Sequence, residues 1–99
     1  MRLVFSPLAE RDLEAIGDYI AEDNPARAMT FVAELRTQCA TILKGPQAYR
    51  LRPELGKGIR SCAHGNYTAF FTESKTTVTI VRVLHGAMDL PAHFGGPAQ

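Results

Sequence analysis

Ser6-Pro7-Leu8-Ala9-Glu10-Arg11-Asp12-Leu13-Glu14-Ala15-Ile16-Gly17-Asp18-Tyr19-Ile20-Ala21 carries a helix start signal and a helix-length apolar repeat. Ser6 offers a hydroxyl as helix N-cap, and Pro7 suits the first helical position, where its missing N–H costs nothing. Ala9, Leu13, Ile16 and Ile20 follow at spacings of four, three and four, which makes one apolar stripe on a helix over residues 7–21. Glu10, Arg11, Asp12, Glu14 and Asp18 fall on its other sides. Asn24-Pro25 repeats the start signal. Ala28, Val32, Leu35, Cys39 and Ile42 form a second stripe, and Gly45-Pro46 ends that helix. A connection of only Glu22 to Asn24 forces the two helices into an antiparallel hairpin.

Outward from the hairpin the periodicity changes. Leu3 to Phe5 is a short strand candidate. From Gln47 to Gly58 no periodicity survives, and Arg50, Arg52, Pro53, Gly56, Lys57 and Gly58 mark an exposed loop. Ile59 to Ala63, Tyr67 to Thr72 and Thr76 to Leu84 are rich in aromatic and β-branched residues, with turn signals at Gly65-Asn66 and Ser74-Lys75. Tight turns make these three an antiparallel meander. The predicted class is α+β, in the order β-α-α-β-β-β, with the helical hairpin on one face of an antiparallel sheet. The run Val78 to Leu84 is apolar on both sides, so the opposite face is expected to be covered too, by the tail or by another chain. Residues 1–94 form a single domain and 95–99 a flexible tail.

The chain has 99 residues, 45% hydrophobic and 21% charged, with a formal net charge of +1. That suits one small globular domain and excludes low-complexity disorder. It gives little electrostatic support for sequence-specific nucleic-acid binding. The N-terminus lacks the apolar core of a signal peptide, and no apolar run approaches the ~20 residues that span a bilayer. A cytoplasmic protein with no membrane contact is expected. Cys39 and Cys62 form no C-x-x-C pair and read as small buried apolar residues. No P-loop, dinucleotide fingerprint, zinc spacing or nucleophile elbow is present, so no cofactor and no metal are expected.

The residues with chemical potential are few. Arg60 and Arg82 lie on separate strands of the meander. Either they converge on one sheet face to bind phosphate or carboxylate, or each pairs with a local acid such as Asp89, Glu73 or Glu54 and pins a strand end. His64, His85 and His93 are candidate proton-transfer groups. His64 is expected to be solvated and His85 to cap the last strand. Tyr19, Phe31, Tyr67, Phe70 and Phe71 read as core rather than as a platform for stacking bases. RNA cleavage through the 2′-hydroxyl would need a base, an acid and cations around the phosphate.

The motifs Ser6-x-x-Ala9-x-x-Asp12-Leu13-x-x-Ile16-x-x-Tyr19-Ile20, Asn24-Pro25, Arg52-Pro53-Glu54-Leu55-Gly56, Gly58-Ile59-Arg60-Ser61, Tyr67 and Arg82-Val83-Leu84-His85 occur in order with short gaps. In this the chain resembles the toxins of the ParE/RelE superfamily, most nearly the ParE branch, over residues 3–94. The resemblance implies the toxin half of a type II toxin–antitoxin module. Such a toxin inhibits DNA gyrase by binding and is neutralised, in a hetero-oligomer, by a ParD-like antitoxin. Its target-binding candidates are Lys57, Arg60, Arg82, His85, Met88 and Asp89. Many relatives carry Arg at the position of Met88, so this chain has one cation fewer there. The antitoxin-binding candidates are Leu51, Leu55 and Phe71, together with the outward parts of the helices. RelE-like relatives instead cut mRNA on the ribosome, which would place Arg60, Arg82 and His85 in a nuclease site. A third reading is a non-toxic module member that only binds antitoxin.

Overall fold

Ser6 ends a strand and starts a helix with one side chain. In the computed structural model, which describes residues 1–86 and 94, its Oγ accepts the Ala9 N–H at 3.0 Å and donates to the Val81 carbonyl at 2.9 Å. The strand before it is β1 (Arg2–Phe5) and the helix after it is α1 (Pro7–Ala21). Asn24 repeats the device: its Oδ1 accepts the Arg27 N–H at 3.0 Å and opens α2 (Pro25–Thr41). That helix tightens into a 3₁₀ turn at Ile42–Lys44 before Gly45. Both predicted helices and both caps are present. We expect Ser6→Ala to cost about 1.5 kcal/mol, since it orphans a helix N–H and removes a tie to the sheet. Thermal unfolding measures this directly.

The sheet comprises β1, β2 (Arg50–Leu51), β3 (Arg60–His64), β4 (Tyr67–Glu73) and β5 (Thr77–His85), in the order β1-β5-β4-β3-β2. The meander β3-β4-β5 is antiparallel, as predicted. Two features differ from the expectation. β1 lies parallel to β5, so the sheet is mixed. β2, antiparallel to β3, adds a fifth strand inside the predicted loop. A two-residue strand carries no periodicity, which is why the pattern misses it.

The alternation along β4 sends Ala69 and Phe71 to the helices and Phe70 to the opposite face. Phe71, Val78, Ile80 and Val83 join Leu13, Ile16, Leu35 and Cys39 in the main core. Phe70 and Leu84 pack with Leu55 in a smaller cluster, against which Ile59, Val81 and Phe94 rest. The strand β5 is apolar on both sides because both sides are covered. The second cover is the chain itself, the loop of residues 52–59 together with Phe94, where a second polypeptide was an alternative. The loop is shaped by Gly56, whose φ of 152° suits glycine and where a Cβ would stand 2.8 Å from Ile59 Cδ1. Leu55 thereby folds under the loop and is buried.

Cys39 and Cys62 are buried and unbonded, as expected. Burial pushes the Cys39 thiol up to about 12, with Cys62 beside it adding to the shift. Burial, then the neighbouring Tyr19, also raises Tyr67. Groups raised in the folded state stabilise it fully below their unfolded pKa, and that stability is lost as pH rises through the folded value. We expect the melting temperature to fall as pH climbs from about 9 to about 12, with Cys39→Ala showing a shallower slope from a lower start. A slope unchanged in Cys39→Ala would contradict the assignment.

Candidate functional site

β1 ends at Phe5, so the last turns of β5 lose their in-plane neighbour. The start of α1 takes over that edge. Ser6 binds the Val81 carbonyl, and Asp12 Oδ2 accepts the Val83 N–H at 2.9 Å. The same carboxylate holds Arg82 in a two-point grip, Oδ2 to Nε at 2.8 Å and Oδ1 to Nη2 at 2.8 Å. Both side chains are largely buried, 16% and 12% exposed for Arg82 and Asp12. The grip holds the Arg82 guanidinium above its ordinary pKa. Asp12 therefore seals a strand edge and neutralises an arginine at once.

Arg60 is held differently. Its Nη1 donates to the Tyr49 carbonyl at 2.7 Å and the Gln47 carbonyl at 3.4 Å, and its Nε stands 3.7 Å from Glu73 Oε1. Pairing with a local acid thus describes Arg60, with Glu73 as partner. It describes Arg82 too, with Asp12, an acid on α1 that was not among those foreseen, as a partner; Asp89 lies outside the described residues. Glu54 belongs instead to Arg52, at 2.7 Å.

The two arginines do not converge. Arg60 stands opposite Phe71 and Arg82 opposite Phe70. Those neighbours on β4 face opposite sides of the sheet. A β-bulge contributes: Phe70 pairs with Arg82 and Phe71 with Ile80, leaving Val81 unopposed. His85 pairs with Tyr67, four residues along β4 from the partner of Arg60. That is about 13 Å along the strand.

His85 sets its ring against the Tyr67 edge at 5.2 Å. Both line a groove of about 450 Å³ between α1 and the late part of β5, together with Asp12, Ala15, Ile16, Tyr19, Val83 and Leu84. Tyr19 is 69% exposed, which corrects its reading as core. His64 is not simply solvated: Nε2 lies 3.5 Å from Glu34 Oε1 and its ring sits 5.6 Å from Phe31.

Of the other candidates, Lys57 is exposed on the loop, and Leu51 is 49% exposed at the sheet edge. Leu55 and Phe71 are buried, Phe71 completely. Neither presents a contact surface, because each is already packed on its own side of the sheet. Met88, Asp89 and His93 lie outside the described residues. Among the described residues no group of His, Cys, Asp or Glu is arranged to hold a metal, and no helix is long and apolar enough to cross a membrane.

The groove is not legible in the sequence because Ala15 looks like an ordinary helix-surface residue and Tyr19 reads as core, where it is in fact exposed on the groove wall. Asp12 did carry a signal: an acid beside the apolar stripe, between Ala9 and Leu13, faces the sheet rim and needs a partner there.

Comparison with known proteins agrees with the fold. The curated Toxin ParE1 of Caulobacter vibrioides is 31% identical over 88 residues, 88% of this chain and 91% of its own length. A solved structure of a chromosomal ParDE toxin–antitoxin system from P. aeruginosa superposes with a TM-score of 0.75 at 23% identity, over 86% of this chain and 95% of that one. A second, the RelBE2 toxin–antitoxin complex from Mycobacterium tuberculosis, gives 0.63 at 27% identity, over 85% and 95%. Residues 3–90 match the family model of the ParE toxin of the type II toxin–antitoxin system parDE. With that match running from the first strand past the Asp12–Arg82 clasp, the chain belongs to the ParE toxin family.

Proposed function

We propose that this ParE-family toxin acts in the cytoplasm by binding DNA gyrase rather than by cleaving RNA, and that a ParD-like antitoxin neutralises it. The observation that carries the first half is the separation of the would-be nuclease groups. Arg82 is clasped by Asp12 at the edge of β5, Arg60 is tied to carbonyls on the Phe71 face two strands away, and His85 stands about 13 Å along β4 from Arg60's partner. Stabilising a cleaving phosphate needs cations and a proton acceptor within hydrogen-bond reach of one another's target.

The antitoxin reading is supported by the groove beside α1. It is mostly apolar, with Tyr19 and Ala15 on its outer wall. Such a groove takes an amphipathic helix. Exposed Leu51 offers a second contact at the far edge of the sheet. The test is supercoiling by purified gyrase with the chain added. Inhibition near one toxin per enzyme is expected. Undisturbed supercoiling at excess, with fresh 5′ ends on translated mRNA, would replace this reading with a nuclease.

A further inference from the structure

We propose that β1 is a self-pairing edge, through which two copies of this chain join antiparallel into one continuous sheet. β1 is the outermost strand on its side. Its register with β5, and the bonds from Arg2 N to Thr76 O and Ser6 N to Ile80 O, turn the backbone groups of Arg2, Val4 and Ser6 inward. Successive residues of a strand alternate direction, so the N–H and C=O of Leu3 and Phe5 point away from the sheet. Among the described residues β1 pairs only with β5, so these groups have no ladder partner.

Native edges are usually blunted by shortness, proline, lysine or a bulge. The opposite edge strand, β2, is only two residues long. β1, though short, is twice as long, has no proline or bulge and carries its one charge, Arg2, at its end, and Leu3-Val4-Phe5 is strongly strand-forming. Met1, 56% exposed, and Leu8, 50% exposed, flank its two ends.

A second copy fits this edge through one register. With Val4 on a two-fold axis, Leu3 of each copy faces Phe5 of the other. All four outward backbone groups of each strand then find partners, as an isologous contact requires. Arg2 falls opposite Ser6 in that register, so no like charges meet. A register centred on Phe5 sets Leu3 against Pro7, which has no N–H to give, and one centred on Leu3 sets Phe5 against the chain-terminal Met1, outside β1. The contact is small, so a dissociation constant on the order of 100 μM is expected. This inference is independent of the cellular target.

The test is amide hydrogen exchange on the isolated chain at about 10 and about 500 μM, either side of that constant. The Leu3 and Phe5 amides should exchange several-fold more slowly at the higher concentration, while Val4, bonded to β5, is unchanged. Leu3→Pro removes an outward N–H and no internal bond, and should sediment as a monomer wherever the wild-type chain is dimeric. Equal exchange of Leu3 and Phe5 at both concentrations overturns the proposal. So does protection that appears only when a different protein is added, or a dimer that survives Leu3→Pro. If that variant fails to fold, exchange on the wild-type chain alone decides.

Discussion

Asp12→Ala is expected to destabilise the chain by about 3 kcal/mol, the cost of stripping one partner from a largely buried, hydrogen-bonded ion pair. Three bonds go at once: two from Arg82 and one from the Val83 N–H. A guanidinium that is 16% exposed and a strand-edge amide lose this partner. For a domain of this size the melting temperature should fall by roughly 15 °C. Asp12→Asn should cost about half as much, because an amide oxygen still accepts one bond. Arg82→Met removes the charge together with its need for a partner. Added to Asp12→Ala, it should therefore cost less than its own effect suggests, a coupling on the order of 1–2 kcal/mol in a double-mutant cycle. A loss below about 0.5 kcal/mol for Asp12→Ala would show the clasp to be ornamental.

Phe71→Ala should cost about 4 kcal/mol, since it opens a cavity in a core that its own chain fills. Phe71 is fully buried and meets the Tyr49 ring edge-on at 5.7 Å. Against a total stability of about 5–15 kcal/mol for such domains, the variant should be partly unfolded near 37 °C. Phe94 makes the contrast. It meets Phe70 at 5.1 Å on the opposite face and is itself half-exposed. Phe94→Ala should cost only about 1 kcal/mol and leave the denaturant slope unchanged. Equal costs for the two would contradict the division into a main core and a smaller second one.

The helices were legible because their signals are local and redundant. Ser6-Pro7 and Asn24-Pro25 fix the starts, and one stripe per helix fixes the buried side. The meander was legible because β3, β4 and β5 follow one another through short turns. The parallel docking of β1 was not, because it joins residues about 75 apart and four residues state no partner. The site was read less well than the fold. Arg60 and Arg82 stood out as cations on neighbouring strands, but one bulge at Val81 and the alternation of Phe70 and Phe71 decide which faces they occupy. Sequence spacing does not register a bulge. Asp12 and Tyr19 were visible as members of a motif, and only packing shows that one closes the edge of β5 and the other walls a groove. Leu55 and Phe71 were chosen for being apolar, and burial is what apolar side chains do first.

The function proposed for this ParE-family toxin is to hold DNA gyrase rather than to cut RNA. The most direct measurement is the fate of plasmid DNA in a gyrase reaction stopped with detergent and protease after the chain is added. Accumulating linear DNA, dependent on both gyrase and toxin, is the predicted result. Intact supercoiled plasmid at every ratio of toxin to gyrase would contradict it.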